Sequence, residues 1–404
     1  MVYTVVYSDD FFMLNVEWFC EKTENRSDME GDKHMRKEPI MVKGERVWRT
    51  YLGGREIGRL HGEPDSQDDH FPEEWMYSVT QAFNVGREGI TEGLCKIQGE
   101  EEKTLKEYIE KDPEEILGEG HVKIWGNTPG VLIKMIDSQE RLTVQVHPDK
   151  EKAKTLFGSD FGKTECWYIL GTREDSEDSP CIYLGFREGI TRKQWEECFF
   201  EQDYGRMLGL MNRLEVKAGE TYLVKGGVPH AIGAGCMIIE IQEPTDYTIR
   251  VEKVTPSGFC IDDRMCHQGL GFEKMFDCFK YEGKREDEIR EEYCILPTPT
   301  KDGGCCLVGY KDTPCFQIYR YSVREADCLN FEGEEVFSCL YVRSGSGILR
   351  TDSCEYRIER NSQFFVPAGS EKYCIINNGN SPIEMLKMYG PISKKKVCDE
   401  KTNK

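Results

Sequence analysis

The chain is poor in histidine. Its 404 residues include seven, at positions 34, 61, 70, 121, 147, 230 and 267, and none beyond residue 267. Imidazole is the commonest metal ligand, so a histidine-ligated site belongs to the part of the sequence before that point. No run of apolar residues approaches the roughly 20 needed to span a bilayer as a helix. The start lacks the basic n-region and small-residue cleavage site of a secretory signal. A basic surplus is missing too: 53 Lys and Arg against 73 Asp and Glu leave a formal net charge of −20. That balance argues against nucleic-acid and anionic-membrane partners. It also requires any phosphate site to be a local cluster of Lys and Arg within a repelling field. Eighteen cysteines are present, but none forms C-x-x-C, and the tightest pair is Cys305–Cys306. Disulfide scaffolds are small secreted chains, so these read as reduced thiols and the expected location is the cytoplasm.

What is present is concentrated in Leu142–Glu165. Thr143, Val144, Gln145, Val146 and His147 alternate polar and apolar, the period-two pattern of a half-buried strand, which puts Thr143, Gln145 and His147 on one face. Glu165 then opens a second apolar run, Cys166–Leu170, expected to pair beside the first. A fourth polar group, His230, closes a strand and glycine turn in E-T-Y-L-V-K-G-G-V-P-H. Gln145, His147, Glu165 and His230 make a nitrogen and oxygen donor set that suits zinc. Each has a plainer alternative. A lone Q-x-H is common, and a histidine after a Gly-Gly-Val-Pro turn can simply donate to a backbone carbonyl.

Context joins them. Gly219 and Gly227 flank the His230 strand as in a second cupin motif, and Gln145 and His147 match the first, with Lys225 departing from a usual proline. Further matches are Q-V-H-P-D at 145–149, G-K-T-E-C-W at 162–167, Y-L-G-F at 183–186, P-H-A-I-G at 229–233 and E-I-Q-E-P-T-D-Y-T-I-R-V at 240–251. In order and approximate spacing these resemble the type I, zinc-dependent mannose-6-phosphate isomerases of the short bacterial cupin form, over about residues 39–390. Two departures are W-R-T-Y-L-G-G at 48–54, where W-G-G is usual, and E-E-W where G-E-x-W is usual. The resemblance implies a mainly β fold: a double-stranded β-helix (cupin, or jelly-roll) catalytic barrel with helical insertions and a second, metal-free cupin-like C-terminal β unit. It also implies a zinc-dependent aldose–ketose isomerase that interconverts mannose 6-phosphate and fructose 6-phosphate through a metal-stabilised enediolate. One zinc per chain, a small sugar-phosphate partner and a monomer or weak homodimer complete the expectation.

The expected organisation is an N-terminal extension over 1–38, a catalytic domain over 39–312, a C-terminal β domain over 313–390 and a charged tail over 391–404. Helical insertions are expected at about 104–117 and 191–211. Thr104 and Glu107 have capping-box spacing, and Asp112-Pro113 should stop that helix. From Cys315 to Met388 short strands alternate with turn signals, as in a sandwich or barrel. There Lys372 stands where a cupin places a metal histidine, so this unit is expected to be a lid or packing domain.

Moving a hydrogen between C1 and C2 of a sugar leaves an enediolate that needs positive charge. Arg250 is the candidate second electrophile, because guanidinium stays charged and donates in a fixed fork. Lys163, two residues before Glu165, shares its face and should point at the substrate. Asp246 and Glu240 are the candidate acid–base groups, and a metal-assisted hydride shift stays open. Thr143 is expected to hydrogen-bond the sugar or its phosphate. Two rivals remain: a cupin metal dioxygenase, distinguished by oxygen uptake, and a non-catalytic sugar-phosphate-binding cupin, distinguished by an assay.

Overall fold

The computed structural model describes residues 37–176 and 178–393. All but Lys37 and Glu38 of the expected N-terminal extension, and the tail from residue 394, lie outside the described residues. The fold is mainly β, with four sheets of five, six, nine and four strands among the described residues. Side-chain packing gives their layering. Ile136, Trp167 and Ile169 of the six-stranded sheet pack on Ile182, Leu184 and Ile232 of the five-stranded one. On its other face Ile133, Met135 and Ile239 meet Tyr341, Phe365 and Leu386 of the nine-stranded sheet. Leu340, Phe364 and Met385 on the far side of that sheet meet Leu349 and Ile375 of the four-stranded one.

A sheet covered on both faces needs apolar side chains in both directions, so its strands read as runs rather than alternations. Leu132–Asp137 is buried at all six positions. Lys134 is the one cation in that run, and with Ile136 it lines the cavity described below.

Two expectations are corrected. The strand carrying Glu165 runs from Glu165 to Thr172 and does not pair beside Gln145. It sits in the six-stranded sheet between Thr221–Val224 and Cys236–Gln242, whereas Gln145–Val146 belongs to the five-stranded sheet. The two strands face each other across the barrel interior. Ile249–Arg250, expected from the sequence to return beside the His230 strand, instead pairs with Gln145–Val146, which separates it from His230–Ile232. The expected boundary at 312–313 falls within a shared sheet. Ile40–Lys43 from the N-terminal side pairs with Gln363–Val366, and Cys305–Val308 pairs with Gln317–Val323.

The capping box forms as its spacing predicts: Glu107 N donates to Thr104 Oγ1 at 3.1 Å and Thr104 N to Glu107 Oε2 at 2.8 Å. That helix covers Leu105–Lys111, and Asp112 caps a second one over Pro113–Leu117. The 191–211 stretch divides into Arg192–Glu201 and Tyr204–Gly209, because Gln202 is left-handed (φ 51°) and Asp203 caps the second helix; Met211 already belongs to a strand. The charged residues from 282 onward lead into the helix Glu286–Tyr293. The C-terminal strands follow the turn signals, with an additional edge strand, Cys328–Phe331, whose exposed Cys328 and Asn330 give no apolar run. Lys372 is exposed and pairs with Glu332 at 2.7 Å. Among the described residues no helix is long and apolar enough to cross a membrane.

Ile40–Lys43 joins Gln363–Val366 on one side and Lys96–Ile97 on the other. A chain begun at Met35 is therefore expected to unfold at the full-length denaturant midpoint and to keep its activity. One begun at Gly44 loses buried Val42 and leaves a sheet edge bare. Chemical denaturation should show it less stable by about 3 kcal/mol or more.

Candidate active site and metal centre

Strand register places the candidate residues in rows. Across the five-stranded sheet Arg250, Gln145, His230 and Leu184 stand side by side, and directly opposed residues share a face. Across the six-stranded sheet Trp167, Glu240, Lys134 and Trp75 form one row, while Glu165 stands beside Gln242. His147 follows the Gln145–Val146 strand and is locked against the turn before His230, where Gly227 N donates to His147 O at 2.8 Å. Gly226 lets that turn approach: a Cβ there would lie 2.6 Å from Asp149 Cα.

His147, Glu165 and His230 are each 1 % exposed, and their ligand atoms lie within 4.8 Å of one another. His147 Nε2 is 3.2 Å from Glu165 Oε2, and His230 Nε2 is 3.3 Å from Glu165 Oε1. Each imidazole donates its Nδ1–H to a backbone carbonyl, His147 to Tyr247 O at 2.8 Å and His230 to Val228 O at 2.9 Å. That leaves both Nε2 lone pairs turned toward Glu165, the tautomer a metal requires. The backbone acceptor anticipated for His230 therefore exists and orients it as a ligand. Neither Glu165 oxygen has a hydrogen-bond partner although both are buried. Gln145 Nε2 lies 3.3 Å from His230 Nε2, and a half-turn of the amide presents its oxygen there instead. These donors fit a cation: two neutral imidazoles, one unsatisfied carboxylate and one amide oxygen.

Protonation agrees with that arrangement. Burial, then the nearby Lys163, pushes the His147 imidazole down to about 3, and burial also lowers His230. Burial alone would raise the Glu165 carboxyl, but Lys163, His147 and His230 together outweigh it and hold the group well below the usual carboxylate range. Lys163 is 3 % exposed, with Nζ 2.8 Å from His147 Nε2 and 3.3 Å from Glu165 Oε2. It occupies the lone pair that a metal would take.

Beside this group lies a cavity of about 30 Å³, bordered by all the remaining candidates: Thr143, Lys163, Glu240, Asp246 and Arg250, together with Gln145. Arg250 donates only to the backbone carbonyls of Thr248 (3.3 Å) and Met265 (3.2 Å), and it has no carboxylate ion pair among the described residues. Glu240 accepts from Trp167 Nε1 at 2.9 Å and lies 3.0 Å from Lys134 Nζ. Asp246 lies 3.4 Å from Arg49 Nη1. Sequence reasoning missed Lys134, Arg49, Tyr51 and Glu73, which also line the cavity. A lysine inside an apolar strand was the available signal for the first, whereas Arg49, Tyr51 and Glu73 carried none.

Residues 91–168 match the model of the type I phosphomannose isomerase catalytic domain. A Streptococcus mutans mannose-6-phosphate isomerase is 26 % identical over 340 residues, covering 82 % of this chain and 92 % of that protein. A Bacillus subtilis protein named "Probable mannose-6-phosphate isomerase GmuF" is 28 % identical over 277 residues, covering 68 % and 78 %. The chain is thus similar to type I phosphomannose isomerases, by the family model over residues 91–168 and by these relatives over most of its length. The crystal structure of the Bacillus subtilis mannose 6-phosphate isomerase, at 21 % identity, has a TM-score of 0.66 and covers 87 % of this chain and all of that one, a likeness of fold. The family match spans Gln145, His147 and Glu165 and ends before His230. His230 joins them through the register of the five-stranded sheet.

Elemental analysis of purified, tag-free chain is expected to approach one metal ion per chain. His147→Ala and Glu165→Ala should each lose most of it, and the His147/His230 double alanine variant should fall to near zero. Arg250→Ala, which removes no donor, should retain it. A second ion surviving the double substitution would place another site in the C-terminal unit.

Proposed function

We propose that the chain is a zinc-dependent isomerase interconverting mannose 6-phosphate and fructose 6-phosphate. The observation that carries this is the buried, unsatisfied Glu165 carboxylate facing two imidazole lone pairs, beside a cavity that gathers both cations and carboxylates. Gln145, His147, Glu165 and His230 are the residues that would hold zinc, which accepts this nitrogen and oxygen set. Bound there, zinc supplies Lewis acidity to the sugar's carbonyl oxygen and the neighbouring hydroxyl.

The chain's own groups divide the remaining work. With His147 Nε2 taken, the Lys163 ammonium has to turn into the cavity, where it and Arg250 face the charge that develops on O1 and O2. Around the site Arg49, Lys134, Lys163 and Arg250 balance Glu73, Glu165, Glu240 and Asp246 in formal charge. A divalent cation therefore leaves a surplus that a phosphate dianion offsets.

The two candidate proton carriers are separated by their surroundings. Burial, then the nearby Glu165 charge, raises Glu240. Burial would raise Asp246 too, but Arg49, Lys134 and Lys163 outweigh it and hold it down. An acid–base group works best with a pKa near the working pH, so Glu240 is assigned the proton between C1 and C2. Asp246 stays charged and anchors Arg49, and Thr143, which borders the cavity, would hydrogen-bond the sugar. The cavity of about 30 Å³ has room for roughly two waters. A hexose phosphate therefore enters by displacing rim side chains, among them Arg250, which is held only by two carbonyl oxygens.

A coupled assay should show mannose 6-phosphate converted to fructose 6-phosphate, with activity lost in chelator and restored by zinc. Arg250→Ala should lose at least about 100-fold in kcat while keeping its metal. Metal-loaded, folded chain with no turnover would end the assignment.

A further inference from the structure

We propose that Arg49 binds substrate by donating to a sugar hydroxyl, which deepens the isomerase assignment and rests on it. Arg49 lies between the Glu45–Val47 strand and the Arg55–Leu60 helix and is 5 % exposed. Its Nε is 3.1 Å from Glu73 Oε2, and its Nη1 reaches Asn84 Oδ1 at 3.3 Å and Asp246 Oδ2 at 3.4 Å. Its guanidinium carbon sits 5.0 Å from the centre of the Trp75 ring. Glu73 is itself pinned, accepting from Tyr51 OH and Trp75 Nε1 at 2.8 Å each. The fork is thus fixed in place before any ligand arrives.

One arm is left over. Arg49 Nη2 is buried and has no hydrogen-bond partner. It carries two of the five guanidinium donors, and a buried donor left unpaired is destabilising unless a ligand satisfies it. Arg49 borders the same cavity as Gln145, Lys163 and Arg250, so its idle donors are available to a sugar bound there. Charge decides which sugar group they meet. Glu73 and Asp246 already neutralise Arg49, whereas Arg250 has no carboxylate partner among the described residues. Anionic oxygens are drawn to Arg250, and a neutral hydroxyl suits Nη2. The reaction takes place at C1 and C2, so the hydroxyl is placed at C3 or C4.

The test compares kcat/KM for mannose 6-phosphate and for its 3-deoxy and 4-deoxy analogues, in the wild-type chain, Arg49→Met and Arg49→Lys. Methionine keeps an apolar stem against Trp75, and lysine keeps the charge between Glu73 and Asp246 without the fork. The wild type is expected to lose about 10- to 100-fold on one deoxy sugar. Both variants should lose less than about 3-fold on that same sugar relative to their own rate on the parent. Each ratio comes from one preparation, so a partly folded variant does not distort it. A variant that loses the wild-type factor, or a wild type indifferent to both deoxy sugars, would overturn the role for Arg49 and leave the isomerase assignment standing. A wild type that binds mannose 6-phosphate without turnover would end the isomerase assignment, and the same ratios measured on Kd by calorimetry then decide Arg49. A wild type that does not bind it ends both.

Discussion

The structure turns on one desolvated carboxylate. Glu165 is 1 % exposed and neither of its oxygens has a hydrogen-bond partner. A buried charge without compensation costs several kcal/mol, so it has to be met by positive charge. Lys163 lies close enough to do that, and the lone pairs of His147 and His230 converge beside it for a cation. The supports are local and backbone-based: Tyr247 O and Val228 O fix the two rings, and Gly226 lets the turn before His230 close over Asp149. A side chain at residue 226 would push that turn away and take His230 with it.

Holding Glu165 opposite Gln145 and His230 is a task for two sheets rather than one. The six-stranded sheet presents Glu165, Glu240 and Lys134 on its inner face, and the five-stranded sheet presents Gln145, His230 and Arg250. The outer face of the six-stranded sheet is covered by the nine-stranded one, through Ile133, Met135 and Ile239 against Tyr341, Phe365 and Leu386. The C-terminal strands therefore pack against the site's wall from behind. Ile40–Lys43 completes that backing, which ties the N-terminal strand of the described chain to its C-terminal half.

Around the cavity, carboxylates are kept distinct by their neighbours. Glu240 stands between Trp167 and Lys134 in a dry row and is raised. Asp246, facing Arg49 and within the field of Lys134 and Lys163, is lowered. Two carboxylates of the same chemistry are thus pushed in opposite directions by their surroundings.

By itself the sequence picked out the candidate donor residues and much of the local structure. Q-x-H alternation, the G-K-T-E run and the histidine after Gly-Gly-Val-Pro were legible because strand period and turn chemistry are local properties. So was the capping box at Thr104, where two residues three apart satisfy each other. Tertiary structure alone decided which strands face and which pair. Period-two patterning says that Gln145 and Glu165 each have an inward face, but not that those faces belong to opposite sheets. It also decided the cavity's second tier of charge. Arg49 and Glu73 meet through contacts 24 residues apart and Arg49 and Asp246 through contacts 197 apart, and nothing in the spacing of a loop arginine encodes such partners. Burial turned Lys134 from an interruption in an apolar run into a wall of the site, because a lysine shut away from water has to pair with carboxylates, here Glu73 and Glu240.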